Sequence, residues 1–276
     1  MSICIETASA INSIYNNSIY SDQELVFDDE TINVTKVILA ASSTTFTSLW
    51  YLEFKDRLEN PNDFSDLKVS SSSFVSFIKS FYGFPVSLTD DNAYDFFYLA
   101  HYFQAPLLID QVEAILATNL QRWSWLRSFV TIADKNDDLR ALEFAGPYFE
   151  KVKDIEISSG SNLKTESFGV IVKFCRDNQS QSWLIKSIVE SIKNSSFDTE
   201  QFPTILYKME VKLLSYAEWD SLLLVPLQEV KEVRTYLMEF LFDKLKFIFF
   251  DSLKIKNLRL EEENQLLNKT LMEKNN

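Results

Sequence analysis

Apolar and polar positions in the first 120 residues follow two different periods, which predicts a mixture of strands and helices. Residues 24–27 and 31–34 are short β-favouring runs on either side of the acidic stretch 28–30. Two such runs around a turn are typical of a β-hairpin. From Lys36 onward the apolar residues recur at helical spacing, and residues 67–69 are a candidate for one more short strand.

Helical stripes follow the hairpin. Serines at 70–73 offer an N-cap to a stripe with i, i+3, i+4, i+7 spacing. The stripe consists of Phe74, Phe77, Ile78 and Phe81. A second stripe, in residues 93–103, ends before Pro106, because a proline disfavours helical backbone at the residue before it. The Ser/Thr cluster at 42–45 interrupts an earlier stripe and predicts a break between two helices.

Residues 120–250 have the pattern of an all-helical region, since apolar stripes at helical spacing recur throughout. The stripes are Trp123, Leu126, Val130 and Ala133; Leu139, Leu142 and Ala145; Phe168, Ile171, Val172 and Cys175; and Leu184, Ile185, Ile188, Val189 and Ile192. The clearest loop is 158–161, and a long helix is expected from Val233.

Past residue 250 the apolar period narrows to heptads, the pattern of a coiled coil. The a positions are Phe250, Asn257, Asn264 and Leu271, and the d positions are Leu253, Leu260 and Leu267. An asparagine at an a position can pair with its own copy in a parallel dimer and would otherwise be buried without a partner. The sequence therefore predicts a dimerising coiled coil over residues 250–276. Roughly three heptads are marginal alone, so a second interface is expected to hold the dimer.

The order and spacing of several short motifs in residues 20–119 resemble a BTB (POZ) domain. The matching positions are Asp22, the run Lys36-Val37-Ile38-Leu39-Ala40-Ala41-Ser42-Ser43 with Phe46, Val69-Ser70 with Phe74, Phe81-Tyr82 with Val86, Leu88 and Thr89, and Asn92 with Leu99-Ala100, Tyr102-Phe103-Gln104, Pro106 and Leu108. No single motif is specific, but their combination is. The family usually has Ala-His-Lys where this chain has Val34-Thr35-Lys36, and Gly where Phe84 stands, so the chain resembles a divergent member.

Residues 120–249 resemble the helical BACK domain that commonly follows a BTB domain. The segment Lys212-Leu213-Leu214-Ser215 with Glu218-Trp219 is similar to its later part. The expected fold is an α+β BTB-like domain, then an all-α BACK-like helical domain, then a C-terminal long helix and coiled coil. The expected divisions are an N-terminal extension at 1–19 and domains at 20–119, 120–249 and 250–276.

Composition points away from catalysis. The chain has four glycines and no Gly-x-Gly, which excludes a Rossmann turn and a phosphate-binding P-loop. One His and two Cys cannot build a conventional zinc site. His101 is expected to be structural, because no activated nucleophile accompanies it, and Cys175 to be a small buried hydrophobe. We expect no enzymatic activity, no metal and no cofactor.

Charge and hydropathy restrict the partners. The chain has 40 Asp and Glu against 27 Lys and Arg and no run of basic residues, whereas nucleic-acid binding draws on a basic face. No nucleic-acid partner is therefore expected. The sequence contains no run of 18 apolar residues, so no membrane span is expected. Residues 247–250 are expected to pack on the helical region rather than on a membrane surface. The N-terminus has no positive region typical of a signal peptide, so a cytoplasmic or nuclear location is expected.

One short element suggests a partner. BTB adaptors of the cullin type resemble one another in a hydrophobic-x-Glu element after the helix that carries the family's Phe. Here Tyr51-Leu52-Glu53 follows Phe46 and Trp50, a few residues earlier than usual. An exposed aromatic patch with one carboxylate suits a partner's groove. The resemblance implies a cullin contact formed by Phe46, Trp50, Tyr51 and Glu53.

Two functions are consistent with these patterns. The first is a homodimeric adaptor that recruits an unidentified client protein to a cullin-based ubiquitin ligase. The alternative is a homo-oligomeric scaffold with no ligase role. Kelch repeats and zinc fingers are not recognised in the sequence, so the helical region or the coiled coil would have to select the client.

Overall fold

A two-stranded hairpin lies near the start of the chain in the computed structural model. Strands β2 (Gln23–Phe27) and β3 (Glu30–Val34) pair antiparallel, as the sequence predicts. Side chains alternate between the two faces of a strand, so one face of the hairpin is buried and the other is partly exposed. The buried side chains are Leu25, Phe27, Ile32 and Val34. Asp28 takes the left-handed backbone conformation of the turn, with φ 49°, which aspartate tolerates better than most residues.

Two other extended segments border this hairpin and the helices. Val26 pairs in parallel with Asp63, and the Phe64 N–H donates to the Val26 carbonyl at 2.8 Å. The short strands β1 (Ser2–Ile3) and β4 (Val86–Ser87) pair antiparallel. Residues 67–69 are not a strand, contrary to the expectation from sequence, because their backbone bonds locally instead of joining a ladder: the Val69 N–H donates to the Leu67 carbonyl.

The other regular elements described within the first 120 residues are helices. Their bounds are α1 (Ser9–Asn12), α2 (Lys36–Ser42), α3 (Thr44–Tyr51), α4 (Ser71–Phe81), α5 (Ala93–Tyr102) and α6 (Pro106–Asn119). Ser43 and Ser70 cap α3 and α4 through their side chains, so the predicted break and the predicted serine cap are both confirmed. Gly83, with φ 77°, supplies the turn after α4. The glycine therefore lies one residue before the position at which the resemblance expects it.

The core of this part is aromatic. Phe46 stacks on Phe103 with ring centroids 4.5 Å apart, and Phe27 stacks on Phe74 at the same distance. Phe77 stacks on Phe103 at 5.5 Å. All five rings are almost fully buried. Offset stacking of this kind adds to the stabilisation from apolar burial.

The predicted helices after residue 120 are present as far as the structure describes the chain. They are α7 (Trp123–Lys135), α8 (Leu139–Ala145), a 3₁₀ turn (Gly146–Tyr148), α9 (Thr165–Ile171) and α10 (Asn178–Lys193). Cys175 is buried, as expected for a small hydrophobe. Leu139 is 45% exposed and does not belong to the buried stripe that the sequence predicted, because it is the first residue of α8.

The turn between α7 and α8 joins the mixed and helical parts. The Asn136 side chain donates to the Lys68 carbonyl at 3.3 Å, and the Tyr94 hydroxyl donates to Asp138 at 3.4 Å. The Lys164 N–H donates to buried Asp134 at 2.7 Å. The first two bonds hold the start of the all-α region against the mixed α/β part, and the third joins α7 to the residue before α9.

The structure describes residues 2–3, 9–52, 62–152, 155, 162–175, 178–194 and 205, which all fall in one of the two compact units of the chain. The predicted loop at 158–161, the long helix from Val233 and the coiled coil with its seven core positions lie outside these residues. The coiled coil therefore stays a prediction.

Candidate protein-interaction surfaces

Helix α3 is held in place by its N-terminus. The Phe46 N–H donates to the Ser43 hydroxyl oxygen at 3.1 Å, and the Ser43 hydroxyl donates in turn to the Phe103 carbonyl. Thr45 donates to the Tyr102 carbonyl at 3.0 Å. The two hydrogen bonds from Ser43 and Thr45 to the end of α5 thus set the direction in which α3 projects its last residues.

Phe46 and Trp50 lie inside the domain. Phe46 is fully buried and Trp50 is 8% exposed, and their rings stack 4.8 Å apart. The Trp50 indole N–H donates to the Asn62 side chain at 3.0 Å. Both rings are therefore part of the core, which corrects the expectation that they contact a partner directly: they position the end of α3 instead.

Tyr51 and Leu52 point out of the same helix end. Tyr51 is 57% exposed and Leu52 is 51% exposed. Adjacent exposed apolar side chains of this size are unusual in the surface of an isolated domain and suit a partner. Glu53, the carboxylate of the predicted element, lies outside the described residues, so its part in a contact stays a prediction.

A second apolar surface, which we name the α2 patch, consists of Ile19, Tyr20 and Val37. These side chains are 83%, 58% and 61% exposed. The Thr35 hydroxyl donates to the Tyr20 carbonyl at 2.9 Å, which brings the segment before the hairpin to the start of α2. The backbone of Tyr20 is thus close to the N-terminus of the helix that carries Val37, and Ile19 precedes Tyr20 in the chain.

Hydrogen bonds hold the segment that carries this patch. The Asn16 side chain accepts from the Asn33 backbone N–H at 2.9 Å and from the Asn33 amide at 3.1 Å. One Asp22 carboxylate oxygen accepts from the Lys36 N–H at 2.7 Å and so caps α2, whose own N-cap residue Thr35 provides no side-chain bond. The α2 patch is consequently a fixed surface rather than a loose terminal segment.

Titratable side chains in the described residues show no arrangement typical of catalysis. His101 Nε2 lies 3.0 Å from Glu113 Oε1, which ties α5 to α6. The described part of the chain has no group of three His, Cys, Asp or Glu that could hold a metal ion. None of its described helices is long and apolar enough to cross a membrane.

The sequence model of the BTB/POZ domain matches residues 11–120. This range coincides with the hairpin and helices α2 to α6. The chain carries a BTB/POZ domain. Its match begins nine residues before residue 20, the expected start of the domain, and includes Tyr15, whose ring lies 5.3 Å from that of buried Tyr82.

Relatives are BTB proteins that also carry kelch repeats. The chain is 32% identical over 116 residues to kelch repeat and BTB domain-containing protein 1 of vaccinia virus (strain Copenhagen), a match that covers 42% of this chain and 20% of the relative. It is 26% identical over 174 residues to the camelpox virus protein of the same name, 63% of this chain and 30% of the relative. It is 21% identical over 212 residues to kelch repeat and BTB domain-containing protein 3 of Pongo abelii, 75% of this chain and 34% of the relative.

The chain thus spans about a fifth to a third of the length of these relatives. The two longer matches exceed the BTB domain, so the likeness extends into the helices that follow it.

Sequence reasoning did not identify the α2 patch. Val37 has the same character as its buried neighbour Leu39, and residues 19 and 20 precede the first strand without a periodic pattern. One available signal was an isolated apolar pair flanked by Asn, Ser and Asp, where burial would have few apolar neighbours in sequence.

Proposed function

We propose that the protein is a protein-interaction adaptor whose BTB domain forms a homodimer and docks a cullin scaffold, while another part of the chain binds a client. The observation that carries the proposal is the BTB domain at residues 11–120. Its surface offers two separate apolar contacts, the α2 patch and the Tyr51–Leu52 pair. An adaptor needs at least two such contacts, one for its own copy and one for its scaffold.

The α2 patch is proposed as the homodimer contact. Its side chains are large, exposed and held on a rigid backbone, so association orders few groups and the entropy cost is small. The coiled coil predicted for residues 250–276 would join the same two chains at a second point.

The Tyr51–Leu52 pair is proposed as the cullin contact, together with Glu53, the next residue in the sequence. An aromatic side chain that enters a pocket of the partner typically contributes ~2 kcal/mol or more to binding. That is about a thirtyfold change in affinity, enough to abolish co-purification of a complex of moderate strength.

A crossed pair of substitutions tests the proposal in the full chain. Tyr51→Ala should stop cullin co-purification and leave the dimer, measured by sedimentation, unchanged. Tyr20→Ala should weaken the dimer and leave the cullin contact, which depends on Tyr51, unchanged. Each variant serves as the control for the other, because both remove one exposed tyrosine.

The alternative is a homo-oligomeric scaffold without a ligase role. Dimerisation by the unmutated protein without any cullin in the purified complex would favour it. A cullin complex that survives Tyr51→Ala in a folded protein would keep the adaptor but assign its contact elsewhere.

A further inference from the structure

A cleft of about 420 Å³ borders residues 84–87, which follow the turn after α4. That volume is in the range of ligand pockets in proteins, about 300–1,000 Å³. A neighbouring cavity shares Phe84 and Val86 with it but has a free volume of only about 10 Å³, the room of about one water molecule. Of these two spaces, the cleft alone can take a side chain of another molecule.

The walls of the cleft come from three places in the fold. Ser76 and Lys79 lie three residues apart on α4, so they share a face of that helix. Residues 84–87 supply an apolar surface together with the Ser87 hydroxyl. Asn92, the residue before α5, completes the lining.

Local hydrogen bonds fix these walls. The Phe84 N–H donates to the Lys79 carbonyl at 3.3 Å, which sets the turn after α4. The Asn92 side chain accepts from the Thr89 N–H at 2.8 Å and donates to the Ser87 carbonyl at 3.2 Å. The cleft is therefore preformed, and a ligand that enters it orders few additional groups.

The polar groups of the cleft favour an anionic ligand. Lys79 carries a positive charge, Ser76 and Ser87 can each donate from a hydroxyl, and none of the described lining residues is acidic. The Lys79 amine lies 5.7 Å from the centre of the Tyr15 ring, a cation–π contact that does not occupy all three of its N–H donors. No described carboxylate forms an ion pair with this amine.

The charge of the surrounding domain narrows the choice of ligand. Residues 11–120 contain 15 Asp and Glu against five Lys and Arg. This excess repels an acidic run in a partner, whereas a single carboxylate gains a charge-assisted hydrogen bond at Lys79. Phe84 and Pro85 in the wall suit an apolar side chain next to that carboxylate.

We propose that this cleft binds a short segment of a partner protein in which one acidic side chain stands next to an apolar one. The carboxylate accepts from the Lys79 amine and a serine hydroxyl, and the apolar side chain covers Phe84 and Pro85. The inference goes beyond the proposed function, because it assigns a third contact that shares no residue with the α2 patch or the Tyr51–Leu52 pair.

Two capped dipeptides of nearly equal shape and different charge test the cleft. Acetyl-Leu-Glu-amide and acetyl-Leu-Gln-amide are titrated into the isotope-labelled full-length protein, and the backbone amide shifts are followed by NMR. The glutamate peptide should bind in the millimolar range, with its shifts centred on residues 84–87. The glutamine peptide should bind roughly tenfold more weakly, because it loses a charge-assisted hydrogen bond.

Variants of the full chain locate the effect. Lys79→Gln should weaken binding of the glutamate peptide roughly tenfold, whereas Lys79→Arg should keep it. Lys68→Gln is the matched control, since it removes the same charge from an exposed lysine of the same domain and should leave binding unchanged. The melting temperature of each variant shows that the fold is intact.

Equal binding of the two peptides, binding that Lys79→Gln leaves unchanged, or no saturable shift at residues 84–87 would overturn the inference. Inorganic phosphate is the competing ligand and should not displace the glutamate peptide at equal concentration. Displacement would make the cleft a site for free anions and reject the partner segment. Dimerisation and cullin co-purification of Lys79→Gln are measured separately and should match those of the unmutated protein, so the proposed function holds or fails independently of this contact.

Discussion

The Thr35 backbone N–H donates a hydrogen bond to the Tyr82 hydroxyl oxygen at 2.7 Å. Tyr82 follows α4 and is fully buried, and Thr35 precedes α2. One side chain thus joins the end of one helix to the beginning of another that lies 47 residues earlier in sequence. The Tyr82 hydroxyl thus accepts from the backbone N–H of Thr35, the N-cap residue of α2, whose own side chain makes no capping bond.

Replacing Tyr82 by Phe should lower the free energy of unfolding by about 1 kcal/mol, because the Thr35 N–H loses its acceptor while the ring packing is kept. Tyr15→Phe is the matched control. Its ring lies 5.3 Å from that of Tyr82, but its hydroxyl bonds no described residue. Urea unfolding curves compare the two, and an equal effect of both substitutions would contradict the assigned role of the bond.

The secondary structure of this chain could be predicted where the spacing of apolar residues matches the face that is buried. The hairpin follows from alternation in residues 24–34, and helix α4 from its serine cap and Phe stripe, because each pattern has one face for the core. Residues 67–69 have the composition of a strand, but among the described residues their backbone bonds locally and not to a neighbouring strand, and composition does not contain that information.

The contact residues were harder to predict. Trp50 and Tyr51 are adjacent and equally aromatic, yet one is 8% and the other 57% exposed. The difference is set by the bonds from the start of α3 to residues 102 and 103, about 60 positions away in sequence. Contacts between residues so distant in sequence set the rotation of the whole helix about its axis. The sequence alone therefore predicts the helix but not which of its two neighbouring aromatic rings is exposed.

High pH should destabilise the protein through its buried tyrosines. Burial is the main cause that raises the pKa of Tyr15 to about 12 and raises the pKa of Tyr82 and Tyr94. Unfolding exposes these groups with an ordinary pKa of ~10. Their contribution to stability is therefore complete below pH ~10 and is lost as the pH rises toward 12.

The measurement is the melting temperature between pH 8 and pH 12, together with phenolate absorbance. A steep fall in melting temperature that starts near pH 10 is expected, and Tyr15→Phe should make it shallower. Stability that stays constant across this range while all tyrosines ionise would show that they are not protected by the fold.

The tail tests the heptad register. Replacing Asn257 and Asn264 by Leu should raise the stability of the isolated peptide 250–276 and loosen its preference for the dimer, since a polar a position trades stability for specificity. Circular dichroism melting and sedimentation measure the two effects. A tail that stays strictly dimeric and gains no stability would place the asparagines outside the a positions.

Two glycines of the helical region give the last prediction, since the same substitution should have opposite effects. A methyl group added at Gly146 would clash with the ring of Phe174, whereas one added at Gly169 meets nothing within 4 Å. Gly146→Ala should therefore lower stability by ~1–3 kcal/mol through overpacking. Gly169→Ala should raise the stability by ~0.5–1 kcal/mol, because alanine loses less backbone conformational entropy than glycine when α9 folds.

Thermal unfolding of both variants shows whether position 146 requires glycine because a side chain would clash with Phe174 or because of its backbone conformation. Its φ is −48° and its ψ is −52°, ordinary helical values that any residue adopts. If the clash is the cause, trimming the ring by Phe174→Leu should recover part of the stability lost in Gly146→Ala, whereas the same trimming alone should destabilise. Equal losses in the single and double variants would show that the two side chains do not share the same space. A destabilised Gly169→Ala would contradict the open surroundings of α9.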